Sequence, residues 1–133
     1  MKLSSQLRYN FTFATTADTS INIPGVIGKQ LRYVPKQTGS LSLTAAFKHF
    51  DFTINDVYRG GYYLTDDESG LPVEPVNITN LYVGTWIDFK NVRWNINFQI
   101  KNLLDAQYQL VQSYPMPGRA FYLNFTILFN KNN

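Results

Sequence analysis

The chain has 133 residues, of which 16% are aromatic (10 Phe, 9 Tyr, 2 Trp) and only 16% are charged, with a formal net charge of +3. Low charge with abundant aromatics excludes a disordered segment, and the Lys and Arg residues are spread singly rather than gathered in a stripe, which argues against a nucleic-acid partner. Without cysteine there is no disulfide framework, thiolate metal site or Cys nucleophile, and the single histidine, His49, excludes any site built on two imidazoles.

From the start, Met1-Lys2-Leu3-Ser4-Ser5-Gln6-Leu7-Arg8 places polar residues where a secretory leader needs an apolar run, so no signal peptide is expected. No apolar run approaches the ~18 residues of a transmembrane helix, a test that leaves transmembrane strands open. A period of two dominates instead. Leu7, Tyr9, Phe11 and Phe13 alternate with Arg8, Asn10 and Thr12, which predicts a first strand over 4–16. A second is predicted over 29–47, where Leu41, Leu43, Ala45 and Phe47 alternate with Ser and Thr. Pro35 lacks an N–H and predicts a bulge or break within it. Phe50, Phe52 and Ile54 mark a third strand over 50–60, and Leu81, Val83, Thr85, Ile87 and Phe89 a fourth over 78–89. The clearest alternation is Arg93-Trp94-Asn95-Ile96-Asn97-Phe98-Gln99-Ile100-Lys101, in a fifth strand over 93–104. Phe121, Leu123, Phe125, Ile127 and Phe129 mark the sixth, over 119–129. No segment carries a helical stripe. The expected fold is all-β, an antiparallel up-and-down meander of six strands.

The connections alternate in length. Lys48-His49 and Lys90-Asn91-Val92 are hairpin-sized, whereas 17–28, 61–77 and 105–118 are long and carry Gly, Pro, Asn and Asp. Short turns therefore lie at one end of the sheet and long loops at the other, as in outer-membrane barrels. The eight steps from Phe121 to Phe129, at about 3.3 Å each and a tilt near ~40°, cover roughly 20 Å of the ~25 Å apolar band of such barrels. Trp94, Ile96, Phe98, Ile100, Phe121, Leu123, Phe125 and Ile127 would then face lipid, with Asn, Gln, Thr, Arg and Lys facing a wet interior. A soluble barrel or sandwich holding a small apolar ligand has the same alternation, because lipid and core are both apolar.

Sites of chemistry are sparse. Asp66-Asp67-Glu68-Ser69-Gly70 lacks the alternating ligands of a calcium loop and reads as a solvated loop tip. His49 and Asp51 have no companion nucleophile and sit around a hairpin, so no catalytic residue is assigned and the chain is not expected to be an enzyme. No metal site or cofactor is expected. A small outer-membrane lipase or protease would need a Ser/His/acid constellation that is not apparent. Asn77-Ile78-Thr79 matches a glycosylation sequon, a weak pattern by itself.

More specific are Asn102-Leu103-Leu104-Asp105-Ala106-Gln107-Tyr108, then Tyr114-Pro115-Met116-Pro117-Gly118-Arg119, then an alternating strand ending at Phe129. This order resembles the C-terminal end of TonB-dependent outer-membrane receptors, whose pattern is Asn-Leu-Phe-Asp-x-x-Tyr, a loop with Pro-Gly-Arg, and a last strand ending in Phe. Leu31-Arg32-Tyr33-Val34-Pro35-Lys36 and Tyr58-Arg59-Gly60-Gly61-Tyr62-Tyr63 resemble earlier segments of that family, so the likeness covers nearly the whole chain. Two departures are Leu104 where Phe is usual, and the polar tail Asn130 to Asn133 after Phe129. Turn chemistry accounts for Asn102, Leu103, Asp105, Tyr108, Pro117, Gly118, Arg119 and Phe129 as structural markers rather than ligand contacts.

The resemblance implies a segment of a 22-stranded barrel in a bacterial outer membrane, lacking the plug domain and partnered by outer-membrane lipid. Its other partners would be the remaining strands and plug of the same receptor, the TonB energy-coupling protein and the barrel-assembly machinery. The whole receptor would take up a ferric siderophore, cobalamin, haem or a similar nutrient. The short turns would be periplasmic and 61–77 extracellular. Arg59, Tyr62 and Tyr63, where the third strand meets its loop, are the candidates for ligand contact, against the alternative of an aromatic girdle.

Overall fold

A strand with a two-residue period can satisfy its backbone only by pairing with neighbours, and six such segments do so here. The computed structural model describes residues 2–16, 25–111 and 113–129, and among them there is no helix. The strands are β1 (Lys2–Phe11), β2 (Gln37–Phe47), β3 (Phe50–Arg59), β4 (Val76–Phe89), β5 (Val92–Lys101), β6 (Gln109–Val111), β7 (Tyr114–Pro115) and β8 (Ala120–Phe129). One antiparallel sheet runs in the order β1-β2-β3-β4-β5-β8, and β6 with β7 forms a small separate hairpin. The six-stranded meander read from the sequence is therefore present. The polar tail Asn130 to Asn133 lies outside the described residues, as does part of the expected 17–28 loop.

Register sorts the side chains. Leu3, Ala45, Phe52, Val83, Phe98 and Leu123 are successive cross-strand partners, an apolar row across all six strands. The row beside it on the other face is Ser4, Thr44, Thr53, Tyr82, Gln99 and Tyr122. Trp94, Ile96, Phe98 and Ile100 pair with Ile127, Phe125, Leu123 and Phe121, so these eight residues share the apolar face. Nothing among the described residues is layered on it: Leu7 is 76% exposed and Phe125 61%, and the only buried hydrophobic residues are Val26 and Tyr62.

Two connections are tight turns, at Lys48-His49 and Lys90-Asn91, each with its lysine in the left-handed region (φ 52° and 53°). The lysine ammonium returns over the preceding ring, Lys48 over Phe47 at 5.4 Å and Lys90 over Phe89 at 5.6 Å. Residues 12–36, 60–75 and 102–119 connect the strands at the opposite end.

Several strand limits differ from the expected ones. The first strand ends at Phe11 rather than 16, and Thr15 and Thr16 make only isolated bridges to Gln30 and Ile27. The second begins at Gln37 rather than 29, because Tyr33 takes φ 63° and Val34 N–H turns back to Leu31 O, just before donor-less Pro35. The fourth starts two residues earlier, at Val76. The fifth stops at Lys101, since Asn102 turns left-handed at φ 51°. The third and sixth shift by one residue at one end.

On the polar face, the hydroxyls of Thr44 and Thr53 meet across β2 and β3 at 2.9 Å. Thr44→Val or Thr53→Val alone leaves one hydroxyl unpaired and should cost about 0.5–1.5 kcal/mol. The double variant should be no worse than the poorer single one, which a double-mutant cycle of thermal unfolding measures.

Candidate functional site

The long-loop end gathers the residues singled out by the sequence. Asn102 is 3% exposed and closes the turn after β5. Its Oδ1 accepts the Ala106 N–H at 2.8 Å, and its Nδ2 donates to Ala106 O at 2.9 Å. Its own N–H donates to Asn80 Oδ1 at 3.1 Å and the Leu103 N–H to Thr79 O at 2.7 Å, tying the turn to β4. An Asn side chain has the donor and acceptor for both ends of such a turn and tolerates the left-handed backbone. Asp105, at φ 55°, donates its N–H to Asn102 O at 2.9 Å and accepts the Arg119 N–H at 2.8 Å. A Cβ on Gly118 would lie 2.8 Å from Asp105 Oδ1, so the glycine makes room for that carboxylate. Asn102, Asp105, Gly118 and Arg119 thus form one device that returns the chain from β5 to β8. Tyr108 O receives the Met116 N–H at 3.1 Å across the loop, Pro117 is exposed, and Leu103 is half-buried. Leu104 is 70% exposed, and Phe129 lies at the opposite end of β8.

A second cluster centres on Tyr62, 3% exposed. The Arg59 guanidinium lies 4.5 Å from its ring centroid and donates to Tyr33 O at 3.4 Å. The Tyr33 ring approaches at 6.4 Å, and the Tyr62 hydroxyl donates to Leu110 O. The Tyr33 N–H donates to Tyr63 O at 2.9 Å, and Tyr62 exchanges backbone hydrogen bonds with Val73. Arg59 and Tyr62 therefore join three loops, while the Tyr63 side chain is half-exposed. Tyr33 and Leu110 belong to this cluster without a sequence signal for it, because neither is near residue 62 in the chain.

The acidic run divides among separate partners. Asp66 faces Arg32 at 3.6 Å. Glu68 faces Lys29 at 3.5 Å and accepts the Gln30 N–H at 3.0 Å. Asp67 accepts the Ser69 N–H at 3.0 Å, and hydrogen bonds from the Ser69 side chain and backbone and from Thr65 hold its carboxyl down at about 2. Among the described residues no group of three His, Asp or Glu side chains is placed to hold a metal ion. Gln30, 4% exposed, donates its Nε2 to Val34 O at 3.4 Å and has an unpartnered Oε1. An open cleft of about 360 Å³ lies between Leu64–Pro75 and Gln107–Gln109, with Leu71, Pro72 and Tyr108 among its walls.

At the short-turn end, the His49 ring packs edge-on against Trp86 at 5.3 Å. Asp51 lies over Gly84, whose Cβ would fall 2.5 Å from its carboxylate oxygens. Asp88 receives two hydrogen bonds from the Arg93 guanidinium, at 2.6 and 2.8 Å.

Asn102→Ala removes both side-chain bonds of the turn and leaves at φ 51° a residue that tolerates the left-handed region less well than Asn. It should destabilise by about 2–4 kcal/mol in thermal unfolding. Asp105→Asn keeps an acceptor for Arg119 N–H and should cost less than Asp105→Ala.

Glu68 lies below its ordinary value of 4.5, chiefly through the Gln30 N–H and then the charges of Lys29 and Lys36, with desolvation opposing. A folded value below the unfolded one means that its contribution is present above pH 4.5 and is lost as pH falls through the folded value. The protection factor of the Gln30 amide against hydrogen exchange should therefore fall on acidification, and Glu68→Gln should flatten that dependence.

Compared with known proteins, the chain matches no family model and no curated protein.

Proposed function

We propose that the sheet is part of the barrel wall of a TonB-dependent outer-membrane receptor. The whole receptor would be a 22-stranded barrel with a plug, taking up a siderophore, cobalamin, haem or a similar nutrient with energy relayed through TonB. The observation that carries this reading furthest is the apolar face, whose row from Leu3 to Leu123 is apolar on all six strands and which no described residue covers. In water such a surface would exceed the few hundred Å² usually left open on a monomer. Against lipid it is the expected outer wall, and the Asn, Ser, Thr and Gln of the other face suit a wet lumen.

Three further features support it. Short turns and long loops are segregated to opposite ends. The Asn102, Asp105, Gly118 and Arg119 device gives physical roles to the motif that carries the family resemblance. The sheet order leaves one edge of β1 and one of β8 unpaired among the described residues. Hydrocarbon does not tolerate unpaired backbone groups, so further strands would adjoin both edges and close the barrel. The turns at 48–49 and 90–91 would face the periplasm and 61–77 the outside.

Within these 133 residues no native cysteine competes with an introduced label. Single cysteines at Phe98 and Leu123, and at their opposite-facing neighbours Asn97 and Asn124, can carry spin labels in the full-length protein within bilayers. Labels at 98 and 123 should collide with dissolved oxygen, and those at 97 and 124 with a water-soluble nickel chelate. A protein that stays soluble without detergent, with labels at 98 and 123 shielded from both probes, would replace this reading with a layered soluble fold.

A further inference from the structure

The two tight turns do not end level. Phe47 and Phe50 close the hairpin of β2 and β3, and Phe50 stands opposite Thr85 of β4. β4 continues from Thr85 to Phe89 before its own turn into β5. At about 3.3 Å per residue this leaves roughly 13 Å of β4 running past the end of β3. Trp86 N–H still donates to His49 O at 3.2 Å. Alternate residues of a strand turn their backbone groups to the same side, so Asp88 N–H opens towards the same edge. The sheet order sets β4 between β3 and β5, so no additional strand of a completed barrel can fill this notch.

The notch is an open hollow of about 370 Å³ lined by His49, Phe50, Thr85, Trp86, Ile87 and Asp88. Phe50, Thr85 and Ile87 belong to the apolar face, Trp86 and Asp88 to the polar one. The turn at 48–49 forms one end of it, and the turn at 90–91 lies at the other. Each turn carries a lysine whose ammonium lies over a phenylalanine at the foot of the apolar face, at 5.4 Å for Lys48 and 5.6 Å for Lys90. A cation on an aromatic ring at the end of an apolar wall suits the boundary between hydrocarbon and headgroups. The ion pairs among the described residues join Lys29 to Glu68, Arg32 to Asp66 and Arg93 to Asp88, and none includes either lysine. The carboxylate nearest in the chain, that of Asp88, is already held by Arg93 through two hydrogen bonds.

We infer that this notch seats one anionic glycerophospholipid, of the phosphatidylglycerol type. Its phosphate lies between the ammonium groups of Lys48 and Lys90, on the side to which Asp88 N–H opens, and an acyl chain runs up the apolar face against Phe50 and Ile87. A zwitterionic headgroup would bring a cation of its own to the two lysines, whereas an anionic one leaves its phosphate to them. The inference rests on the barrel-wall reading and on the orientation that turns this end to the periplasm, the side on which an outer membrane carries its phospholipid.

The test is native mass spectrometry of the full-length protein, delipidated in detergent and titrated with dioleoyl phosphatidylglycerol or dioleoyl phosphatidylethanolamine. One phosphatidylglycerol should be retained about tenfold better, the order expected of two lysines facing a lipid phosphate. Replacing both lysines, Lys48→Gln with Lys90→Gln, should level the two lipids. Lys101→Gln, which removes a cation at the opposite end of the sheet, should leave the preference intact. An excess of glycerol 3-phosphate should not displace the bound lipid. Equal retention of the two lipids by the native protein, an equal loss of preference in Lys101→Gln, or displacement by glycerol 3-phosphate overturns the inference. The comparison on the native protein decides the matter even where a variant fails to fold. A protein that stays soluble and takes up neither lipid overturns the underlying membrane reading instead, so the two failures are distinct.

Discussion

The row from Leu3 to Leu123 is apolar across all six strands only because every strand meets its neighbour in the same phase. A slip of one residue would turn a whole strand over, bringing Asn97 rather than Phe98 beside Val83. The two tight turns fix the phase of β2 with β3 and of β4 with β5. No tight turn joins β5 to β8, and the intervening chain even folds into a hairpin of its own. There the phase is held by side chains: Asn102 binds the exit of β5 to β4, and Asp105 reaches across to the N–H that precedes β8. The turn residues act as register residues, which explains why their chemistry is so specific in a loop otherwise free to vary.

The same constraint explains why burial is so slight. Val26 and Tyr62 lie among the long loops rather than between layers, so the sheet has no interior of its own. Among the described residues nothing covers its aromatics, and Phe121, Phe125 and Phe129 are more than half exposed. Backbone pairing supplies the cohesion within the sheet, whereas the large apolar contribution depends on the medium that covers it. By itself the hydrogen-bonded ladder presents a broad exposed surface, a condition prone to association through both face and edges.

How much was legible depended on whether a segment's chemistry was decided locally. Residues 93–101 read correctly because one set of side chains is apolar and the other amide or charged, a contrast no other period accommodates. Phe13, Leu31 and Tyr33 continue such an alternation, yet they lie outside strands. Alternation shows that a segment suits a sheet; it does not provide a neighbour, and the φ of Tyr33 together with Pro35 takes 29–36 out of the ladder. The motif at 102–119 was legible as turn chemistry, but the partnership of Asp105 with the Arg119 amide was not, since it needs the loop to close. Tyr62 was legible only as an aromatic at a strand end. Its burial follows from segments far away in the chain, Tyr33 and Leu110, folding over it.

That burial bears on how the long-loop end can work. Tyr62 has already committed its ring to Arg59 and Tyr33 and its hydroxyl to Leu110. A ligand could use the same groups only by lifting the 105–118 loop and breaking the tie between three connections at once. The cost of exposing that buried hydroxyl without a new partner is about 1–3 kcal/mol, before any loss of packing. Glu68 and Asp66 add a second tie between 29–32 and 66–68, so movement of one loop strains another. The platform is therefore coupled: a molecule that displaced Leu110 from Tyr62 would loosen Arg59 and Tyr33 with it. Tyr63, half-exposed beside this hub, is the member of the predicted trio whose side chain can meet a ligand without dismantling the loops that position it.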